Sequence, residues 1–169
     1  MLILDGTIGS DISAFLARLH EESLPCKIML YAEWLANHAP HLHCDGHDDD
    51  PTSLKLRRTS HPEGVIYMRV MPEIALKRIE RRQEASGITL EHIQQVYQQK
   101  NEQFIENKNN PVALKELPIL VLNGNIDFQT DFSQFYSHLF YIKRFLIQIQ
   151  ERKEMALGTY KEKTYRRCC

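Results

Sequence analysis

Residues 64–79 read Gly-Val-Ile-Tyr-Met-Arg-Val-Met-Pro-Glu-Ile-Ala-Leu-Lys-Arg-Ile. Gly64 precedes a run, Val65 to Val70, that is apolar except for Arg69 and suits a buried core strand. Pro72 then opens a helix at its first turn, where the missing N–H costs nothing, and Ile74, Leu76 and Ile79 give it an apolar face. The same grammar appears twice more. Met1-Leu2-Ile3-Leu4 runs into the turn Asp5-Gly6-Thr7, and Pro118-Ile119-Leu120-Val121-Leu122 runs into Asn123-Gly124-Asn125-Ile126-Asp127. Short apolar strands alternating with helices predict an α/β layer built on a parallel sheet of about three strands.

The stretches between these strands predict about five helices. Ile12, Phe15, Leu16 and Leu19 mark a first helix. A second begins after Pro25, carries Ile28, Leu30, Tyr31, Trp34 and Leu35, and stops at Pro40. Thr89 is the expected N-cap of a helix with Ile93, Val96, Tyr97 and Phe104 on one face. A last helix carries Phe132, Phe135, Tyr136, Leu139, Leu146 and Ile149. Residues 38–62 read as a long His/Asp-rich surface loop, and 151–169 as a basic polar tail on a domain spanning 1–150.

With 169 residues the chain is about one domain, and 43% hydrophobic with 25% charged residues excludes disorder and coiled coil over its whole length. Twenty-one Lys and Arg oppose 22 Asp and Glu, so a global basic field for nucleic acid is absent. No apolar run approaches the roughly 18 residues of a membrane span, and the N-terminus lacks the basic segment of a secretory signal. The four cysteines include no CxxC pair, which fits a reducing, cytoplasmic setting without a disulfide framework.

Ligands of open parallel sheets bind beyond the carboxyl ends of the strands. Here those ends offer Asp5, Arg69 and the amide-rich Asn123-Gly124-Asn125, groups that equally suit ordinary turns. Gly6 to Ser13 invites comparison with the phosphate cradle G-x-x-x-x-G-K-[ST]. Asp11 and Ile12 stand where the second Gly and the Lys belong, so phosphate would meet a carboxylate and no cation. Arg78, Arg81 and Arg82 precede Ala85-Ser86-Gly87. They can close over a nucleotide, or form a solvated face with Glu80 and Glu84. His41, His43, Cys44, His47 and the Asp48–Asp50 run are metal-ligand types, but their spacing matches no closed zinc motif. Cys168-Cys169 behind basic residues has the look of a lipidated tail, but no C-a-a-X box is present, and a frayed, unmodified end and no membrane contact are expected.

In this order the motifs resemble the deoxynucleoside kinases, the family of deoxycytidine, deoxyguanosine, mitochondrial-type thymidine and insect-type kinases. Val65 to Ile79 resembles the family's "IYLxxxPExCLxRI", Gly87 to Ile93 resembles "GIPLEYL", and Pro118 to Phe128 resembles "PVLVLDVNxDF". Leu4 to Leu19 lies without gaps on the third-strand segment "xERSxxSDxxxFxxxL", and Leu30 to Trp34 resembles "IYxxW". The resemblance covers the C-terminal two-thirds of such a kinase. It implies a P-loop-kinase-like α/β fold truncated at the N-terminus, and transfer of the ATP γ-phosphate to a deoxynucleoside 5′-OH with Mg²⁺ in nucleotide salvage. It also implies a homodimer, for which the stripe Phe15, Leu19, Leu30 and Trp34 is the expected partner surface.

The resemblance further implies roles. Asp5 stands for the metal-side glutamate, and Gly6 for an arginine that contacts the reacting phosphate region. Asp11 matches the aspartate of the base-recognition network, and Phe15 an aromatic against the nucleobase. Arg81 and Arg82 fall in the catalytic LID segment, here about two residues shorter, and Glu84 near a glutamate that touches the sugar. Asn123, Gly124, Asn125, Asp127 and Phe128 match the loop near the donor's adenine. The P-loop and the strand bearing the catalytic base precede the matched segment, and nothing in the 169 residues replaces them. Weak transfer is therefore expected of the chain alone. The alternative is a non-catalytic interaction module with a kinase-like fold.

Overall fold

The computed structural model describes residues 1–42, 61–82, 87–106, 116–125 and 131–165. Strands β1 (Leu2–Gly6), β2 (Ile28–Leu30), β3 (Gly64–Arg69) and β4 (Ile119–Asn123) form one sheet in the order β2-β1-β3-β4. Every neighbouring pair is parallel. Helices α1 (Ile12–His20), α2 (Tyr31–Leu42), α3 (Pro72–Arg82), α4 (Leu90–Phe104) and α5 (Phe132–Tyr165) surround it.

The α/β architecture with a parallel sheet and surrounding helices is the expected one, with four strands where the sequence suggested about three. The addition is β2. Ile28-Met29-Leu30 pairs with Leu2-Ile3-Leu4, and the second helix starts only at Tyr31. A three-residue apolar run directly before a helix shares that helix's spacing, so periodicity alone assigns it to the helix. That helix also runs past Pro40 to Leu42, shortening the loop expected from residue 38. Residues 43–60 lie outside the described residues, as do Glu84, Asp127, Phe128 and the Cys168–Cys169 pair. At the other end α5 continues through the expected tail to Tyr165.

Side chains alternate across the pleat, so each strand feeds two cores. Leu2, Leu4, Ile66 and Met68 pack with Phe15, Leu16 and Leu19 of α1 and with Phe135, Leu139, Ile142 and Phe145 of α5. On the opposite face Ile3 packs with Trp34 of α2, and Val65 and Tyr67 pack with Phe104 of α4. Burial on both faces explains why Leu2, Ile3 and Leu4 of β1 are all apolar rather than alternating. The expected dimer stripe is consumed by these cores: Phe15, Leu19 and Trp34 are all buried. The large apolar side chains left exposed on α5 include Tyr136, Phe140 and Ile147. No helix among the described residues is long and apolar enough to cross a membrane.

Candidate functional site

The register brings the carboxyl ends of three strands level. Gly6 pairs with Met68, and Arg69 pairs with Asn123. The loops that follow are tied together. Thr7 Oγ1 accepts from the Val70 amide at 2.8 Å, and the Met71 amide donates to Asn125 Oδ1 at 2.7 Å. Arg78, buried on α3, donates to Gly9 O at 2.9 Å and to Asn125 O at 2.8 Å, so one guanidinium braces the loops after β1 and β4. A buried guanidinium with carbonyl acceptors keeps its hydrogen bonds and rigidifies the rim.

A cleft of about 740 Å³ opens beside this rim, walled by residues 6–14 together with Arg82, Val96 and Lys100. Two ion pairs cross it. Asp11 receives both arms of the Arg82 guanidinium, with Nη2 to Oδ2 at 2.5 Å. Asp11 has left-handed backbone (φ 53°), tolerable for a short polar side chain, and its carboxylate turns to Arg82 instead of capping α1. Gly9, also left-handed, lies so close to α3 that a Cβ there would stand 3.0 Å from the Ala75 backbone. The loop is thus folded tightly against α3, whose last turn supplies Arg82.

The second pair joins the end of β1 to α4. The Asp5 carboxylate is buried, with Oδ1 accepting from the Gly6 amide at 2.8 Å and Oδ2 paired to the Lys100 ammonium. Burial pushes the Asp5 carboxyl above its ordinary range, and Lys100 and the Gly6 amide pull it back only part of the way. The Lys100 ammonium also lies 5.2 Å from the Tyr31 ring centre and 5.5 Å from that of Phe104. Nearby, Tyr67 OH donates to Asn101 at 3.0 Å and holds α4 to β3.

The structure therefore brings Asp11 and Arg82 to one cleft, with Asp5 buried behind its wall and joined to it through Lys100. Arg81, its neighbour on α3, is exposed and is not among the lining residues. Phe15 is elsewhere: it is fully buried, edge-to-face against Phe135 at 5.7 Å and His138 at 5.8 Å. It does not line this cleft, in keeping with its place on the apolar face of α1. Asn123, Gly124 and Asn125 sit on the rim outside the cleft, engaged with Arg69, Met71 and Arg78. Lys100 was not singled out from the sequence. It stands in Gln98-Gln99-Lys100-Asn101-Glu102-Gln103, a polar run in which no spacing distinguishes it.

Mg²⁺ needs oxygen ligands, chiefly carboxylates. All four carboxylate oxygens of Asp5 and Asp11 are engaged by protein donors, and among the described residues no group of three His, Cys, Asp or Glu side chains is placed to hold a metal. The cleft as built does not fit a divalent cation. Nor do residues 6–13 supply the lysine of a phosphate cradle, since Ile12 stands in its place.

No protein-family model matches the chain. It is 38% identical to deoxycytidine kinase 2 of Gallus gallus over 74 residues, 41% of this chain and 28% of that relative. It is 29% identical to deoxycytidine kinase of Rattus norvegicus over 133 residues, 76% of this chain and 46% of that relative. The chain thus spans less than half the length of either curated relative, and across the matched stretches it is similar to deoxycytidine kinases.

Proposed function

We propose that the chain is a deoxynucleoside-kinase-like protein whose cleft beside β1 receives a deoxynucleoside. As this chain alone, it transfers the γ-phosphate of ATP very slowly or not at all. The observation that carries the reading is the convergence of Asp11, Arg82 and the Asp5-bound Lys100 on one cleft at the carboxyl end of a parallel sheet, in a chain similar to two deoxycytidine kinases. Asp11, held by Arg82, is the group offered to a base edge. The kinase resemblance gives Arg81 and Arg82 the phosphate side and Asn123 to Asn125 the donor side, a role it extends to Asp127 and Phe128 from sequence alone. ATP and Mg²⁺ are the family's cosubstrates; among the described residues of the cleft there is no phosphate cradle, and the Asp5 and Asp11 oxygens are each held by a protein donor.

Transfer of labelled phosphate from ATP across a panel of deoxynucleosides tests this. Single charge-stabilising groups contribute on the order of 10³ or more to such rates, so turnover several orders of magnitude below a complete kinase is expected. Rapid turnover by the purified chain would contradict the missing-machinery half of the reading. Failure to bind any deoxynucleoside would contradict the other half. A second reading, an interaction module on a kinase-like scaffold, is favoured by the exposed Tyr136, Phe140 and Ile147 on α5, which also offer a pair of chains a surface to share.

A further inference from the structure

We propose that Lys100 is a tethered cation for Asp5, occupying the position at that carboxylate where a divalent metal would sit, so that the cleft takes an uncharged, hydroxyl-bearing ligand without metal. The ligand class rests on the deoxynucleoside reading above; the tethered cation does not.

Three observations carry it. Asp5 is buried at the end of β1 with one oxygen on the Gly6 amide and the other on Lys100, so each oxygen already holds a donor and the one facing α4 holds a cation. The ammonium is held from behind as well as in front. Its nitrogen lies over the Tyr31 and Phe104 rings, which stabilise a cation without neutralising it. The rings come from α2 and α4 and Asp5 from β1, so the position is fixed by the fold rather than by one flexible side chain. Lys100 nevertheless lines the cleft with 23% of its side chain exposed, and an ammonium has three N–H donors, enough to meet a ligand oxygen while keeping Asp5.

Charge then selects the ligand. The charged lining residues are Asp11, Arg82 and Lys100; Asp11 is paired with Arg82, Lys100 is paired with the buried Asp5 behind the wall, and the remaining lining side chains are uncharged. A neutral cleft favours a neutral ligand over a polyphosphate, whose charge would meet already paired cations. A metal-dependent site would need the reverse, namely open carboxylate oxygens and a ligand that brings its own negative charge.

The test is a Mn²⁺ titration of the full chain followed at the Gly6 amide by NMR, in wild type, Lys100→Gln and Lys100→Arg. At millimolar Mn²⁺ the wild type and Lys100→Arg are expected to keep the Gly6 signal, and Lys100→Gln to lose it as Asp5 becomes open to the ion. Selective broadening of Gly6 in the wild type overturns the proposal, and so does its persistence in a folded Lys100→Gln. If Lys100→Gln does not fold, the wild-type titration decides. In a parallel arm, deoxynucleoside affinity of the wild type is expected to agree within twofold in Mg²⁺ and in EDTA; a tenfold gain with Mg²⁺ overturns the proposal. Absence of any deoxynucleoside binding would instead remove the proposed function, while the Mn²⁺ comparison still decides the role of Lys100.

Discussion

Asp5 and Lys100 make the cleft's chemistry a matter of one buried pair. Removing one partner of such a pair strands the other charge, at about 3–5 kcal/mol. Lys100→Met should therefore destabilise strongly in urea unfolding, and Asp5→Asn with Lys100→Met should recover most of the loss in a double-mutant cycle. The sign with pH follows from Asp5, whose carboxyl is already raised by burial. Without Lys100 it rises further, so the deficit of Lys100→Met should be small in acid, where Asp5 is protonated, and grow as the pH passes upward through its folded value. Gly6 is the companion case. A Cβ there would stand 2.3 Å from Ser10 Oγ and 2.7 Å from Ile12 Cγ2. Gly6→Arg, the residue suggested at this position by the kinase resemblance, should thus lose about 1–3 kcal/mol on overpacking and gain no transfer activity. Asp5 stands out in the sequence as the polar end of an apolar run, and Asp11 is singled out by the kinase resemblance. Lys100 was not, since its reach depends on where α4 crosses β1, which no local spacing records.

At the scale of the element, Phe15 shows how one helix serves packing. Its face of α1 lies against Phe135 and His138 of α5, so Phe15→Ala should cost about 3–5 kcal/mol in a cavity that the neighbouring rings cannot close. Thermal unfolding measures this. A ring that served only as a ligand platform would instead leave stability nearly unchanged and lower affinity. The helices with clear apolar periodicity and caps were legible: Pro72 does open α3, and Thr89 caps α4 by accepting from the His92 amide at 3.2 Å. The strand β2 was not, because three residues carry too little pattern to separate a strand from the helix beginning at Tyr31. The end of α5 was missed for a different reason. Beyond Glu151 the apolar Met155, Ala156 and Leu157 are consecutive rather than helically spaced and Gly158 follows them, so a helix there is not announced by an apolar face.

Across the whole molecule, distant segments are closed onto one another by ionic contacts. Glu63, just before β3, meets the Met1 amino group at 3.1 Å and Lys153 of α5 at 2.6 Å. Partial burial would raise its carboxyl, but the hydrogen bonds from Lys153 and the amino group outweigh that and hold it below the ordinary range. A lowered carboxyl stabilises above its unfolded value and loses that contribution as the pH falls through the folded one. Glu63→Gln should therefore cost no more than about 1 kcal/mol at neutral pH, since the side chain is a third exposed. The gap to wild type should close below about pH 4. The α/β class was legible from three apolar runs alternating with helices. The order β2-β1-β3-β4 was not, because strand neighbours are set by how α1 and the segments before β3 and β4 cross the sheet. The central claim is that the cleft walled by residues 6–14, Arg82 and Lys100 receives a deoxynucleoside. Titration of deoxynucleosides into the isotope-labelled chain, followed by amide chemical shifts, tests it most directly. The account predicts shifts concentrated at Gly6 to Ala14, Arg82 and Lys100 and weakened by Asp11→Asn; shifts confined to other surfaces, or none at saturating ligand, would contradict it.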